Sequence, residues 1–313
     1  MTSSSQTQVV TSFRKKGKEA LNIKGTRVSV QNAQLLTSTG SSTFDFFLGG
    51  GLAIGTICLI EEDHYNTYSS LLLKYFLAEG IICNHSIFLA SGDKDPEKLL
   101  KELPGSKNVE FEKDSKQIAE ASNDDLKIAW RYKNQTSAAN DAKSPTYSCG
   151  YDLSKTIPEE ILEKAEITTW NPAEHTASEN EICDFVDSPY SVLFKTIKAK
   201  VLSGFKTSEK TCDNVLRIGI CSMGSPLWQG NDNKKENLNL IRFLYMLKSL
   251  LRTSFAVAVV TLPAFLLKDF VLTSRLHQVA DTVVNLESFV GSNKKSNPLF
   301  KDFDGELSIL HQC

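Results

Sequence analysis

The sequence predicts an α/β fold in which helices flank a mostly parallel sheet, and three observations support this prediction. Short apolar segments alternate with segments of helical periodicity along most of the chain. Several of the apolar segments contain a short unbroken apolar run, which is typical of strands that helices cover on both faces. The 313 residues are 41% hydrophobic and 23% charged, a composition typical of a globular protein with one or two domains.

The strands are predicted from the apolar segments in chain order. They are Ile57–Ile60, Ser86–Ala90, Lys127–Tyr132, Val215–Cys221, Phe255–Thr261, Thr282–Leu286 and Glu306–Leu310. Helices are predicted between them from amphipathic periodicity and from capping residues. They are Tyr68–Glu79, which is expected to stop at Gly80; a helix that begins at Asp95-Pro96-Glu97 and ends at Pro104-Gly105; Ser191–Leu202; and Glu236–Arg252.

Two regions depart from this alternation. Residues 1–25 are predicted to be a disordered basic tail, in which Ser, Thr and Gln precede a cluster of Arg and Lys. Residues 26–313 are predicted to form the folded domain, with a long polar insertion at about 133–189 that is partly ordered around residues 147–165. The tail is interpreted as a solvated segment, and the alternative is a specific binding arm.

Charge and cysteine content exclude several classes of protein. The formal net charge is −2, so any contact with nucleic acid needs a local basic patch. The seven cysteines include no Cys-x-x-Cys pair, which argues against a disulfide framework or a structural zinc site. No signal peptide is evident, and the apolar run 255–267 is too short to span a bilayer. We therefore expect a soluble protein of the cytoplasm and nucleus, without a membrane partner.

The segment after the first core strand stands where a phosphate-binding loop would lie, but it lacks the necessary chemistry. Gly49-Gly50-Gly51 precedes the strand and is expected to form a tight turn instead. The segment Glu62–Ser69 contains neither the two glycines nor the lysine of a phosphate loop, and Thr67, Tyr68 and Ser69 begin the helix. We predict that this degenerate loop binds no nucleotide.

The acidic run at this loop has two interpretations. Glu61, Glu62 and Asp63 are expected to stabilise the helix N-terminus and to fill the anion site internally. The alternative is a metal-binding triad, for which no further ligand stands at a recognisable spacing. His64 is expected to be a surface turn residue. We predict no metal, no cofactor and no catalytic residue.

A magnesium-binding acid is also missing from the strand Val215–Cys221. That strand runs into Cys221-Ser222-Met223-Gly224, and no carboxylate follows until Asp232. The sequence therefore lacks both the phosphate-loop residues and the magnesium-binding acid of an NTPase site. We predict that the chain is not an enzyme, and the alternative is an NTPase with an unorthodox site that a neighbouring subunit completes.

The segment STGSSTFDFFLGGGLAIGTICLI resembles the opening of RecA-like ATPase domains. Together with IEEDHYNTYSSLLLKYFLAEGI, KIAWRY, LRIGICSMGSPLW, FLYMLKSLLRTS and NPLFKDFDG, it resembles the family of fourth subunits of the Elongator complex. The resemblance covers nearly the whole chain and is weakest at residues 104–125 and 133–189. Family members usually continue beyond the point at which this chain stops, so Cys313 is expected to mark a shortened isoform.

The resemblance implies a fold, partners and a role. The fold would be RecA-like without the ATPase motifs, and the fifth and sixth Elongator subunits would complete a heterohexameric ring. That ring would bind tRNA and assist the catalytic Elongator subcomplex, which modifies the wobble uridine of the anticodon. The family is also linked to elongation by RNA polymerase II. A pure scaffold that touches no RNA is the alternative to this accessory role.

Candidate RNA-binding residues lie in the loops that point toward the pore of a RecA-like ring. The first loop, Ser222–Lys235, carries Trp228 for base stacking and ends in Lys234 and Lys235, which would contact phosphate. The second begins at Leu262 and includes Lys268. The alternative is that the lysines solvate a flexible turn and that Trp228 packs in the core.

Overall fold

A small antiparallel sheet begins the part of the chain that the computed structural model describes. The model describes residues 23–107, 147, 149–175, 185, 188–207, 214–228, 233–267 and 269–312. The small sheet comprises β1 (Thr26–Val28), β2 (Leu35–Thr37) and β3 (Leu52–Ala53), and α1 (Ser42–Phe47) connects β2 to β3.

Nine further strands follow among the described residues. They are β4 (Ile57–Glu61), β5 (Ser86–Ser91), β6 (Pro104–Ser106), β7 (Tyr151–Thr156), β8 (Ile167–Trp170), β9 (Leu216–Cys221), β10 (Ala256–Leu262), β11 (Thr282–Ser288) and β12 (Gly305–Gln312). A large sheet has the order β12-β11-β4-β10-β9-β5-β8, and all of its neighbours are parallel except the antiparallel pair β11 and β12. Strands β6 and β7 form a separate antiparallel pair. The predicted α/β class with a mostly parallel sheet is confirmed, and the arrangement is consistent with a RecA-like fold.

Helices cover both faces of the large sheet. They are α2 (Tyr68–Ile82), α3 (Pro96–Lys101), α4 (Glu159–Lys164), α5 (Pro189–Leu202), α6 (Asn233–Leu251) and α7 (Phe270–Val279). Alternate residues of β4 point to opposite faces. Ile57 and Leu59 join the core beneath α5, α6 and α7, whereas Cys58 and Ile60 join the core beneath α1, α2 and α3. Because β4 is buried on both faces, its apolar run is continuous.

The helix that follows the degenerate loop does not end where the sequence suggested. The helix α2 continues through Gly80 to Ile82, so the prediction that Gly80 stops it is wrong. A Cβ added at Gly80 would lie 2.5 Å from Ile87 Cδ1 and 2.7 Å from Arg217 Cδ. Glycine is therefore required here for close packing of the helix against the sheet, and not for a helix end.

The segment predicted as a polar insertion contributes to the large sheet. Strand β8 lies within residues 133–189 and pairs in parallel with β5 at one edge. Its sequence, ITTW, is short and half polar, and therefore gave no strand signal. The predicted strand Lys127–Tyr132 and the basic tail up to residue 22 lie outside the described residues. Within the described residues, no helix combines the length and the apolar character that a membrane span requires.

Candidate functional site

The candidate site lies where β4, β9 and β10 end. These strands run parallel in the large sheet, so their carboxyl ends meet at one edge. The β4–α2 loop, Glu62–Thr67, leaves this edge and leads into the N-terminus of α2. In a RecA-like ATPase this is the position of the phosphate loop.

The Asp63 carboxylate occupies the hydrogen-bond donors at the N-terminus of α2. Its Oδ2 accepts a hydrogen bond from the Thr67 N–H at 3.0 Å, and its Oδ1 accepts from the N–H groups of Tyr68 and Ser69 at 3.0 and 3.2 Å. The Ser69 hydroxyl also donates to Oδ1 at 3.2 Å. Asp63 is 1% exposed. The expectation that an acidic side chain fills the anion site internally is met by Asp63, because backbone N–H groups at a helix start attract negative charge.

The two preceding carboxylates have separate partners. Glu62 Oε1 accepts hydrogen bonds from Thr261 Oγ1 at 2.6 Å and from Ser222 Oγ at 2.9 Å. Burial raises the pKa of Glu62, and these two hydrogen bonds partly oppose that effect. Glu61 Oε1 lies 2.7 Å from His277 Nε2 on α7.

The three acids therefore do not converge on one point as metal ligands would. Each of them engages partners of its own, as the contacts of Glu61, Glu62 and Asp63 show. No group of three His, Cys, Asp or Glu side chains with metal-binding geometry occurs among the residues that the structure describes. The interpretation of the acidic run as internal anions is thus the one that the geometry favours.

A polar network links the ends of the three strands. The Ser222 N–H donates to Thr261 Oγ1 at 2.7 Å, and Asn66 Nδ2 donates to Ser222 Oγ at 3.2 Å. The single proton of the Ser69 hydroxyl is shared between Asp63 Oδ1 and Asn66 Oδ1, and Asn66 Oδ1 lies 2.9 Å from the Ser69 oxygen. Ser222 and Asn66 both have positive φ angles, of 46° and 49°, which non-glycine residues rarely adopt. The network therefore holds the β4–α2 loop in a defined conformation.

The described residues on the Asn66 side of this loop border a small space. A cavity of about 20 Å³ lies between Asn66, Ser70, Asp93, Ser222 and Thr261. That volume holds about one water molecule. Pockets that enclose a nucleotide-sized ligand are on the order of 300–1,000 Å³. The cavity is therefore too small for a nucleotide.

The other residues predicted at the degenerate loop have structural roles. The Tyr68 hydroxyl donates to the Asp304 carbonyl oxygen at 3.2 Å, which ties α2 to the chain before β12. Thr67 precedes the first residue of α2 without a capping side-chain bond. The glycines 49–51 all have positive φ angles, and Gly50 O accepts a hydrogen bond from the Tyr147 hydroxyl at 2.6 Å. They form a turn before β4, as expected.

Trp228 lies in the core and is only 1% exposed. Its ring stacks against Trp170 and Tyr190, with centroid distances of 5.6 and 6.0 Å, and its Nε1 donates to the Cys221 carbonyl oxygen at 3.1 Å. Because both neighbouring rings cover the indole, it has no free face on which an RNA base could stack. The prediction of Trp228 as a base-stacking residue is therefore wrong, and the residue packs in the core.

The structure describes only part of the predicted phosphate-binding lysines. The backbone of Lys234 and Lys235 lies in the first turn of α6, while their side chains are outside the described part of the chain. Lys268 also lies outside it. Their role in RNA binding remains a prediction.

Sequence reasoning missed a buried arginine network on the face of the large sheet that α2 covers. Arg217 in β9 is fully buried and donates from Nε to His85 Nδ1 at 2.9 Å and from Nη2 to Thr37 Oγ1 at 2.6 Å. Its Nη1 donates to the carbonyl oxygens of Ser38 and Phe76, both at 2.9 Å. The network joins the small sheet and α2 to the large sheet. The only sequence signal was one charged residue inside an apolar strand.

The arginine also determines the tautomer of His85. Arginine only donates hydrogen bonds, so Nδ1 of His85 is the acceptor and its Nε2 carries the proton. Nε2 lies 2.7 Å from the Lys24 carbonyl oxygen, to which it donates. Burial, followed by the charge of Arg217, lowers the pKa of His85 to about 3.

The sequence was compared with family models and with known proteins, and both comparisons found matches over most of the chain. The model of the family described as PAXNEB protein matches residues 19–311. Elongator complex protein 4 of Danio rerio is 41% identical over 314 residues, an alignment that covers 96% of this chain and 79% of the relative. The proteins of the same name from Mus musculus and Homo sapiens are 42% and 39% identical; their alignments cover 95% and 96% of this chain and 76% and 77% of those relatives.

Proposed function

The chain belongs to the Elongator complex protein 4 family, and we propose that it is a non-catalytic subunit of the Elongator complex. The observation that carries the non-catalytic role is the position of Asp63. The N–H groups of Thr67, Tyr68 and Ser69, which a phosphate loop would offer to a nucleotide, donate to Asp63 instead. A bound triphosphate would have to displace this carboxylate without the help of a loop lysine.

We further propose that the subunit joins the fifth and sixth Elongator subunits in a heterohexameric ring of RecA-like domains. In this proposal the ring binds tRNA in the cytoplasm and nucleus and presents it to the catalytic subcomplex, which modifies the wobble uridine. The names of the relatives support membership of Elongator, and the family resemblance supplies the ring and the tRNA. Exposed apolar side chains such as Phe46, Phe270 and Leu299 are compatible with burial by neighbouring subunits.

The competing proposal is an NTPase whose site a neighbouring subunit completes. A neighbour could contribute a cation, but the N–H groups at the start of α2 would still be taken by Asp63. The loop also lacks the glycines that let a backbone curl around a phosphate. These two features favour the accessory role over the NTPase.

Binding of a fluorescent ATP analogue tests the proposal. We expect no saturable binding to the purified full chain, with or without Mg²⁺, because the amides are already occupied. The same titration is repeated with the chain co-purified with the fifth and sixth subunits, where any binding is assigned by testing each subunit alone. Micromolar, Mg²⁺-dependent binding to this chain that Tyr68→Ala abolishes would contradict the proposal.

A further inference from the structure

The helices on one side of the large sheet carry almost only basic charges. The helices α5, α6 and α7 pack side by side over that side of the sheet. All three contain Lys or Arg, from Lys195 on α5 to Arg275 on α7, whereas Glu236 is the only Asp or Glu within their bounds. Glu236 is 5% exposed. The outer surface of this layer is therefore positive, although the whole chain has a formal net charge of −2.

The helices on the opposite side of the sheet are balanced in charge. Helices α1, α2 and α3 carry as many acids as bases, namely Asp45, Glu79 and Glu97 against Lys74, Lys98 and Lys101. The positive charge of α5, α6 and α7 is thus a property of one side of the molecule, and not of the composition of the chain. Basic side chains that cluster on one face are the electrostatic signature of a surface that binds a polyanion.

Four of these cations are exposed and pair with no carboxylate among the residues that the structure describes. They are Lys195, Lys198, Arg242 and Arg275, which we call the basic face. Lys200 and Lys248, in contrast, pair with Glu166 and Asp281, the acids that follow α4 and α7. These two acids are therefore already engaged by cations outside the basic face, and the charge of the basic face has no internal compensation.

The three helices end side by side, so positions along them can be compared. Lys248 in the last turn of α6 donates to the Val279 carbonyl oxygen at the end of α7 at 2.8 Å. Just beyond α5 and α6, the Phe255 N–H donates to the Phe205 carbonyl oxygen at 2.7 Å. At about 1.5 Å per residue, the four cations of the basic face lie about 6–14 Å from these helix ends. With helix axes about 8–10 Å apart, the basic face is a band about 20 Å wide.

We propose that the basic face binds the phosphate backbone of double-helical RNA. Lys and Arg contact phosphates without reading the bases, and proteins recognise double-stranded RNA largely through its shape, its phosphates and its 2′-hydroxyl groups. A duplex carries one charge per roughly 1.7 Å of its axis, so a band about 20 Å wide can meet several phosphates at once. The inference rests on the proposed tRNA-binding function, and it assigns a contact with a helical arm of the tRNA to residues outside the pore loops.

The composition of the basic face favours a nucleic acid over a neighbouring protein. Lysine is depleted in protein–protein interfaces, because burial of its charge without a partner is costly. Lys195 and Lys198 would each need an acid at a matching position of a neighbouring subunit, whereas RNA offers negative charge along its whole backbone. A duplex also holds its phosphates in a fixed array, so it loses less conformational freedom on binding than a single strand does.

The test measures binding of a fluorescent, blunt RNA duplex of about 16 base pairs to the full chain at several salt concentrations. The triple variant Lys195→Gln, Lys198→Gln and Arg242→Gln should weaken binding at low salt by at least about 10-fold. It should also reduce the slope of log affinity against log salt by about 2–3, because each lost phosphate contact releases about one counterion fewer. Lys195→Arg combined with Lys198→Arg should bind as the unchanged chain does, because both charges are kept.

The matched control replaces three exposed lysines in and just before α3, on the opposite side of the sheet, by Gln: Lys94, Lys98 and Lys101. It changes the net charge equally and should leave the affinity and the salt slope nearly unchanged. Thermal unfolding of every variant establishes that the fold is retained. The inference is overturned if the unchanged chain does not bind the duplex, if the triple variant binds it as the unchanged chain does, or if the control loses as much affinity as the triple variant.

The outcomes separate this inference from the proposed function. If the assembled complex binds tRNA but the triple variant makes no difference, the inference fails while the accessory role stands. If the chain binds the duplex through the basic face but the complex binds no tRNA, the inference stands and the tRNA-binding role fails. If the triple variant loses its partner subunits instead of RNA, the basic face is a protein interface and the inference is wrong.

Discussion

At the residue scale, one carboxylate occupies the hydrogen-bond donors that a phosphate would need. Asp63 accepts hydrogen bonds from three backbone N–H groups and one hydroxyl. Hydrogen bonds to a charged acceptor are stronger than those between neutral groups, at roughly 1.5–3 kcal/mol each. The internal anion therefore competes effectively with any dissolved phosphate. The same contacts stabilise α2, whose first turn contains no acidic residue of its own.

His85 gives the protein a pH-dependent stability. Its pKa is lowered from 6.5 to about 3 in the folded protein, first by burial and then by Arg217. As the pH falls below 6.5, the unfolded chain takes up a proton that the folded protein does not bind until about pH 3. The free energy of unfolding therefore falls with decreasing pH in this window, by at most about 1.4 kcal/mol per pH unit from this residue, and is unaffected above it.

Urea unfolding at pH 7.5 and pH 5.5 measures this effect. Both proteins are expected to become less stable from pH 7.5 to pH 5.5. The decrease in the free energy of unfolding should be about 1 kcal/mol smaller for His85→Gln than for the unchanged protein. Glutamine offers an acceptor to Arg217 and a donor to the Lys24 carbonyl without titrating. Equal losses for His85→Gln and the unchanged protein would show that His85 does not titrate as described.

At the scale of elements, α2 owes its packing to a glycine. Alanine has the higher helix propensity, worth roughly 0.5–1 kcal/mol in a helix interior. A methyl group at position 80, however, would meet Ile87 and Arg217 at under 3 Å, and both residues are fully buried. Overpacking of this kind costs about 1–3 kcal/mol. The steric cost should therefore exceed the gain in propensity.

Gly80→Ala should accordingly lower the unfolding free energy by about 1–2 kcal/mol, although it is a favourable change for an isolated helix. Gly204→Ala is the matched control, because a Cβ at Gly204 would have no atom within 4 Å and its φ lies outside the positive range. Chemical denaturation of both variants gives the comparison. A stabilised Gly80→Ala variant would mean that α2 shifts freely against the sheet.

At the scale of the whole molecule, the proposed ring predicts an RNA-binding role for the lysines at the start of α6. Lys234 and Lys235 follow the loop that leaves β9 at the carboxyl edge of the sheet, where RecA-like rings bind nucleic acid. Reversing both to Glu should weaken tRNA binding by the assembled ring and flatten its salt dependence, since fewer counterions are released. Ring assembly, followed by light scattering after co-expression with the fifth and sixth subunits, should be retained.

The matched control for this variant reverses Lys98 and Lys101, which lie on α3. It should leave both tRNA affinity and assembly unchanged. If the Lys234→Glu/Lys235→Glu ring binds tRNA as tightly as the unchanged ring at low and at physiological salt, the lysines have no role and the basic N-terminal arm becomes the next candidate. A chain that stays monomeric with both partners would contradict the ring itself.

Much of the fold followed from local sequence patterns. Predominantly apolar segments predicted β4, β5, β9, β10 and β11, and the capping sequence Asp95-Pro96-Glu97 predicted α3. Strand β8 was missed because its four residues carry no apolar run. Trp228 was a candidate for RNA stacking with core packing as the alternative, and Gly80 was predicted to end a helix. Local patterns could not decide either case, because burial and close contacts depend on residues that are distant in the sequence.

The sequence by itself determined that the loop has no glycines and no lysine, and hence that it lacks the groups that hold a phosphate. Only the tertiary structure decided where the side chains of that loop point. Glu61 and Glu62 face inward because they contact His277, Thr261 and Ser222 there. These partners lie about 160–216 residues further along the chain, so only folding brings them close. Residue types are fixed locally, whereas the direction of a side chain depends on the partners that folding brings to it.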